Sequence, residues 1–139
     1  MIVVVAPGQG SQTPGFLEPW IADPAHRERL ERYSEAAGLD LVAHGTVSDA
    51  DTIRDTAVAQ PLIVAASLLS AAALLDGRRD RAGAVAGHSV GEFAAAAIAG
   101  VLSDDYALRL VRERGLAMAE AAAAVPTGMS AVLGGDDEA

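Results

Sequence analysis

At 139 residues the chain is long enough for one domain with a core of its own, yet short for an α/β enzyme. Apolar residues at 51% exclude a disordered chain, and aromatics at 4% require a core of Ala, Val and Leu. The absence of cysteine removes disulfide scaffolds, Cys-based zinc sites and thiol catalysis; a net charge of −9 argues against nucleic acid as a partner.

The first six residues, Met1 to Ala6, are an apolar, β-branched run of the kind found in a parallel strand covered on both faces. They carry no basic region and so do not read as a signal peptide. A polar loop follows from Pro7 to Gly15. Asp23-Pro24 predicts a helix start and Gly38 a stop, with Ala25 to Ala37 a charged, mostly solvated helix that holds His26 in its first turn. Residues 39–57 read as an irregular connection, with His44 in a loop.

A buried helix is expected from about Val58 to Leu75, closed by Asp76-Gly77. Its apolar stretch, Leu62 to Leu75, is about fourteen residues and too short to span a bilayer. Arg78-Arg79-Asp80-Arg81 reads as a surface turn before a second strand, Ala82 to Ala86. Ser103 is placed to cap a long helix that begins with Asp104 and Asp105 and ends near Pro126. Met129 to Leu133 reads as a third strand, and residues 134–138 as the start of another helix. Two central strands with four helices make a thin sheet, so the sequence is read as truncated. A soluble, cytoplasmic protein is the default expectation.

The most informative stretch is Gly87-His88-Ser89-Val90-Gly91-Glu92, between a strand and a helix. Strand, Gly-x-Ser-x-Gly, helix is the pattern of a nucleophile elbow, which holds a serine hydroxyl out at the carboxyl edge of a parallel sheet. The competing reading is a loop that merely starts a helix. The loop Gly8-Gln9-Gly10-Ser11-Gln12 lacks the third glycine of a dinucleotide fingerprint, where Thr13 stands, and the lysine of a P-loop. It should emerge at the same sheet edge as Ser89.

In the long helix, Val111 centres an apolar stripe with Ala107, Gly115, Met118 and Ala122. Arg114 lies only about 60° from that centre, whereas Arg109 and Arg112 fall on the solvent side. An arginine at the edge of a buried stripe needs an anionic partner or must snorkel out.

Three stretches, Gly8-Gln9-Gly10-Ser11-Gln12, Gly87-His88-Ser89-Val90-Gly91-Glu92 and Arg114-Gly115-Leu116-Ala117-Met118, stand in the order and spacing of the acyltransferase family. The chain resembles its malonyl-CoA:acyl carrier protein transacylase type, with lesser matches at Gln60-Pro61 and at 127–134. The resemblance implies the amino-terminal part of an α/β-hydrolase-like large subdomain over 1–126. The first strand of a ferredoxin-like small subdomain would follow over 127–139.

The resemblance also implies roles. Ser89 would be the nucleophile, Gln9 and Val90 the oxyanion hole, and Arg114 the group that binds a free substrate carboxylate. Malonyl-CoA, a coenzyme A thioester, is the implied substrate and acyl carrier protein the acceptor, in fatty acid or polyketide synthesis. It assigns no bound cofactor, metal, nucleic acid or membrane, and implies a monomer at full length.

The chain departs from the family in its histidines. His26, His44 and His88 are the three available, and none is placed to act as general base on Ser89, which in the family comes from the second half. Arg78, Arg79 and Arg81 could form a local basic patch for an acidic carrier, or a solvated turn. A serine acyl hydrolase, and an inactive fragment that needs the missing half, are the alternative readings.

Overall fold

The computed structural model describes residues 1–124. The strand expected at Met129–Leu133, the helix start at 134–138 and the boundary at 127 lie outside the described residues. In chain order the elements are β1 (Ile2–Ala6), α1 (Glu18–Ile21), α2 (Pro24–Ala37), α3 (Leu41–Thr46), α4 (Ala50–Arg54) and α5 (Thr56–Leu75). A 3-10 turn (Arg79–Arg81), β2 (Ala82–Gly87), α6 (Gly91–Ile98) and α7 (Asp104–Ala124) complete them. This is an α/β arrangement with a small parallel sheet and mostly helices.

β1 and β2 pair in parallel, with Val4 opposite Val85 and Ala6 opposite Gly87. Both strands therefore end at one edge, as the sequence predicts. The expectation that β1 is covered on both faces is corrected among the described residues. Side chains alternate across a strand, and α5 and α6 pack on only one face. Ala6 is buried there, while Val3 and Val5 on the other face are 52% and 69% exposed.

Residues 39–57 are also corrected: they hold α3 and α4. Each is only a turn or so long, below the length at which hydrophobic periodicity is legible. What makes them helical is capping and an anchor. The Asp40 carboxylate accepts from Ala43 N–H at 2.9 Å and that of Asp49 from Thr52 N–H at 2.8 Å, while Leu41 and Ile53 are buried. The Thr52 N–H bond holds the Asp49 carboxyl below its ordinary pKa. His44 thus sits in α3 instead of a loop, its Nδ1 3.0 Å from Ser48 Oγ.

The predicted ends of α2 hold. Asp23 accepts from Ala25 N–H at 2.8 Å, Pro24 stands at the first position, and Gly38 takes φ 59°. One face of this charged helix buries Leu30 and Tyr33.

α5 starts earlier than its apolar run, capped by Asp55 on Ala57 N–H at 2.7 Å. At 20 residues it is long and apolar enough to cross a membrane, which corrects the expectation that its apolar stretch is too short to do so. Most of it is instead buried in this fold, where α7 packs along it. Pro61 lies inside this helix and has no N–H to give the Ala57 carbonyl four residues back. Arg112 fills the gap: its Nη1 donates to Ala57 O at 2.5 Å. The expectation that Arg112 is a solvent-side residue is corrected by this backbone vacancy, which helical periodicity does not register.

α7 begins as predicted, with Ser103 Oγ accepting from Tyr106 N–H at 3.2 Å. Asp104 does more than face the helix dipole. One carboxylate oxygen accepts from Tyr33 Oη at 2.7 Å and the other from Arg79 Nη2 at 2.5 Å. Burial first, then the hydrogen bond and charge of Asp104, push the Tyr33 phenol up to about 12. Arg79 is therefore a structural tie and no part of a free basic turn, while Arg78 pairs at the surface with Asp80.

Candidate active site

β2 ends at Gly87 and α6 begins at Gly91, so the three residues between them must reverse the chain. Ser89 makes this possible at φ 53°, the left-handed region that a residue with a Cβ adopts at a cost of about 1 kcal/mol or more. The two glycines of the turn are sterically required. A Cβ on Gly87 would collide with the backbone of Gly91 and Glu92, and one on Gly91 with the carbonyls of Ala6 and Pro7. The turn is pinned to the strand edge by His88 N–H donating to Ala6 O at 3.0 Å. Val90 is buried beneath it and Ser89 is exposed above. This is the geometry of an elbow, and a plain helix-starting loop would not need the strain.

The loop after β1 lies against this turn: a Cβ on Gly8 would run into the His88 ring. Its shape is set by Ser11 Oγ donating to Gly8 O at 3.0 Å and Gly10 N–H donating to Gln12 Oε1 at 2.9 Å. Gln12 Nε2 then anchors it to Ile53 O at 3.1 Å. The Gln9 side chain reaches Thr56 Oγ1 at 3.3 Å and so is spent on holding the loop to the start of α5. That leaves the backbone N–H of Gln9, like that of Val90, making no hydrogen bond among the described residues. Val90 N–H stands at the amino end of α6, where unpaired donors and the helix dipole favour negative charge.

Arg114 is brought to the elbow by the packing of α7 on α5, where Gly115 lies against Thr56 and Ala57. Its Nη1 donates to Gln60 Oε1 at 2.6 Å and its Nη2 to Ser89 Oγ at 3.3 Å. The sequence offered an anionic partner or an escape to solvent; the structure takes a third course, a neutral amide. Gln60 is 1% exposed, and its Nε2 donates to Met118 Sδ at 3.2 Å. None of the ion pairs among the described residues involves Arg114.

No histidine is hydrogen-bonded to Ser89. His88 turns toward Gly8, His26 packs beside Trp20 with ring centroids 5.8 Å apart, and His44 bonds Ser48. The structure thus joins Ser89, Val90, Arg114 and the Gln9 loop at one edge. Sequence reasoning undervalued Gln60, Gln12 and Thr56. A glutamine opening an apolar run, five residues after the Asp55 cap, is the signal available for Gln60.

Over residues 3–138 the sequence matches the acyl transferase domain. The chain belongs to this family. It is 55% identical over 140 residues to the malonyl CoA-acyl carrier protein transacylase of Mycobacterium tuberculosis, covering 99% of this chain and 46% of the relative. The corresponding Escherichia coli protein is 37% identical over 134 residues, covering 96% of this chain and 43% of that one.

Among solved family structures, that of MCAT from Mycobacterium tuberculosis superposes with a TM-score of 0.91 at 53% identity, over 99% of this chain and 46% of that chain. A malonyl-transacylase in complex with a type II PKS acyl-carrier protein gives 0.77 at 34% identity, over 89% and 40%. The chain therefore spans about half the length of the relatives it matches.

Proposed function

We propose that this chain is the nucleophile-bearing half of a malonyl-CoA:acyl carrier protein transacylase, part of an α/β-hydrolase-like large subdomain. The observation that carries the reading is the approach of the Arg114 guanidinium to Ser89 Oγ, 3.3 Å away, with no carboxylate among the described residues paired to it. A cation beside a strained serine suits an acyl group that ends in a free carboxylate.

Ser89 Oγ attacks the thioester carbonyl of malonyl-CoA and passes its proton to a general base. The carbonyl oxygen becomes an oxyanion that accepts hydrogen bonds from the Val90 and Gln9 N–H groups; one such donor is worth about 3–4 kcal/mol of barrier. Collapse expels the coenzyme A thiolate, which takes up a proton, and leaves a malonyl ester on Ser89. The phosphopantetheine thiol of acyl carrier protein gives its proton to the base and attacks the ester; the Ser89 Oγ–acyl bond breaks, Oγ takes the proton back, and the malonyl group leaves as the carrier thioester. Arg114 binds the malonyl carboxylate by a two-pronged, charge-assisted bond that lysine would not reproduce.

The base comes from the length of the family that this chain does not span, so the chain by itself is inactive. The complete enzyme is a cytoplasmic monomer with coenzyme A thioester as substrate and no resident cofactor. Intact-mass measurement of the full-length enzyme after malonyl-CoA treatment should show one malonyl adduct, absent in Ser89→Ala. An unchanged mass in the unmutated enzyme would overturn the proposal. Rapid hydrolysis of neutral esters without a carrier protein would favour a serine hydrolase instead.

A further inference from the structure

We infer that Gln60 is a positioning residue that aims Arg114 at Ser89 while leaving its charge unspent, and so sets the preference for acyl groups bearing a carboxylate. The inference rests on the proposed role of Arg114. A guanidinium at the edge of a buried stripe has two ordinary fates: a carboxylate neutralises it, or it turns out to water. Gln60 imposes neither. Its amide oxygen accepts one arm of Arg114 at 2.6 Å, which fixes the plane of the guanidinium, and being neutral it cancels none of the charge.

The direction of the amide is fixed as well. Gln60 is 1% exposed, so both ends of its amide need partners inside the protein. The nitrogen faces the sulfur of Met118 at 3.2 Å, an acceptor with no proton to give. Reversing the amide would point its NH2 at a cation and its oxygen at a thioether, losing both bonds. The oxygen is thereby locked toward Arg114. The other arm of Arg114, Nη2, is left at the edge of the site beside Ser89 Oγ.

This makes glutamine and glutamate opposite in effect at position 60. Glutamate would keep the length and the bond but neutralise Arg114, acting as a built-in competitor for the substrate carboxylate. An apolar residue of similar size would keep the packing and release the aim.

The test compares acylation of Ser89 by malonyl-CoA and by acetyl-CoA in the full-length enzyme, as kcat/KM for each donor, with Gln60→Met, Gln60→Glu and Arg114→Ala. The malonyl to acetyl ratio should fall about tenfold in Gln60→Met and further in Gln60→Glu, with the loss carried by KM for malonyl-CoA. A residue that serves only the packing of α5 would lower both donors together and leave the ratio unmoved; that result in both variants overturns the inference. Gln60→Glu conserves shape and fills the comparison if Gln60→Met does not fold. If Arg114→Ala itself keeps the malonyl preference, the reading of Arg114 fails first. If Arg114→Ala loses it while both Gln60 variants keep it, the role of Gln60 alone is refuted.

Discussion

Arg79 and Arg114 are both partly exposed guanidiniums beside the sheet, and they are treated in opposite ways. Arg79, just before β2, donates to Asp104 at 2.5 Å, a carboxylate with a side chain only 10% exposed, and to Ala97 O at 2.5 Å. The second carboxylate oxygen is taken by Tyr33. Every charge in that cluster is met, and the result ties the turn before β2, α2 and α7 together. Arg114, at the far end of β2, meets a neutral amide and a serine hydroxyl. Burial does not separate a structural arginine from a ligand-ready one here. The charge of the partner does.

The comparison breaks most severely if the open end loses its turn. Gly91→Ala places a methyl group on the carbonyls of Ala6 and Pro7, which are backbone and have no room to yield. The chain should lose about 3–4 kcal/mol in urea unfolding, or fail to fold. At the closed end, Asp104→Asn keeps an acceptor for Tyr33 but leaves Arg79 with no anion. Because Arg79 is 40% exposed and can turn partly to water, the cost should be about 2 kcal/mol by the same measurement. A loss as large as that of Gly91→Ala would mean that the cluster, and not the elbow, is the mechanical keystone.

The two ends differed equally in how far they could be read from the chain. The elbow was legible because its constraints are local: strand, two glycines and a serine within a few residues specify the strained turn at φ 53°. Arg114 was legible in part, since helical periodicity places it near the buried stripe, but its partner Gln60 is 54 residues away. The Arg79–Asp104–Tyr33 cluster joins three elements, so no window of sequence displays it. Arg112 is the clearest case: its place follows from a missing N–H at Pro61, a tertiary consequence of a local fact. α3 and α4 carried their signals in Asp40 and Asp49, which cap them, but their apolar pattern is too brief to count. The open face of β1 depends on what packs beside it, which the strand itself does not encode.

The closed end should also respond to pH in a way the open end does not. The Tyr33 phenol is raised from 10.0 to about 12 in the folded chain, so the folded state holds its proton more tightly than the unfolded one. Its stabilising contribution is complete below pH 10 and is lost as pH rises toward 12, about 2–3 kcal/mol in all. Unfolding midpoints measured between pH 9 and 12 should therefore decline more steeply in the unmutated chain than in Tyr33→Phe. Parallel curves would show that Tyr33 is not held by Asp104 in solution.

The smallest effect has the opposite sign and bears most directly on the elbow. Ser89 holds a left-handed φ that only glycine adopts without strain. Ser89→Gly removes the hydroxyl and the strain together, whereas Ser89→Ala removes the hydroxyl alone. The glycine variant should be more stable than the alanine variant by about 1 kcal/mol, in spite of the extra freedom glycine gives the unfolded chain. Inside α7, at exposed Arg109, glycine should instead be worse than alanine by about 1 kcal/mol. A chain that ranks glycine below alanine at both positions carries no strain at Ser89. Reversal at Ser89 alone would mean that folding energy is stored where the serine is presented and nowhere along the helix that delivers Arg114 to it.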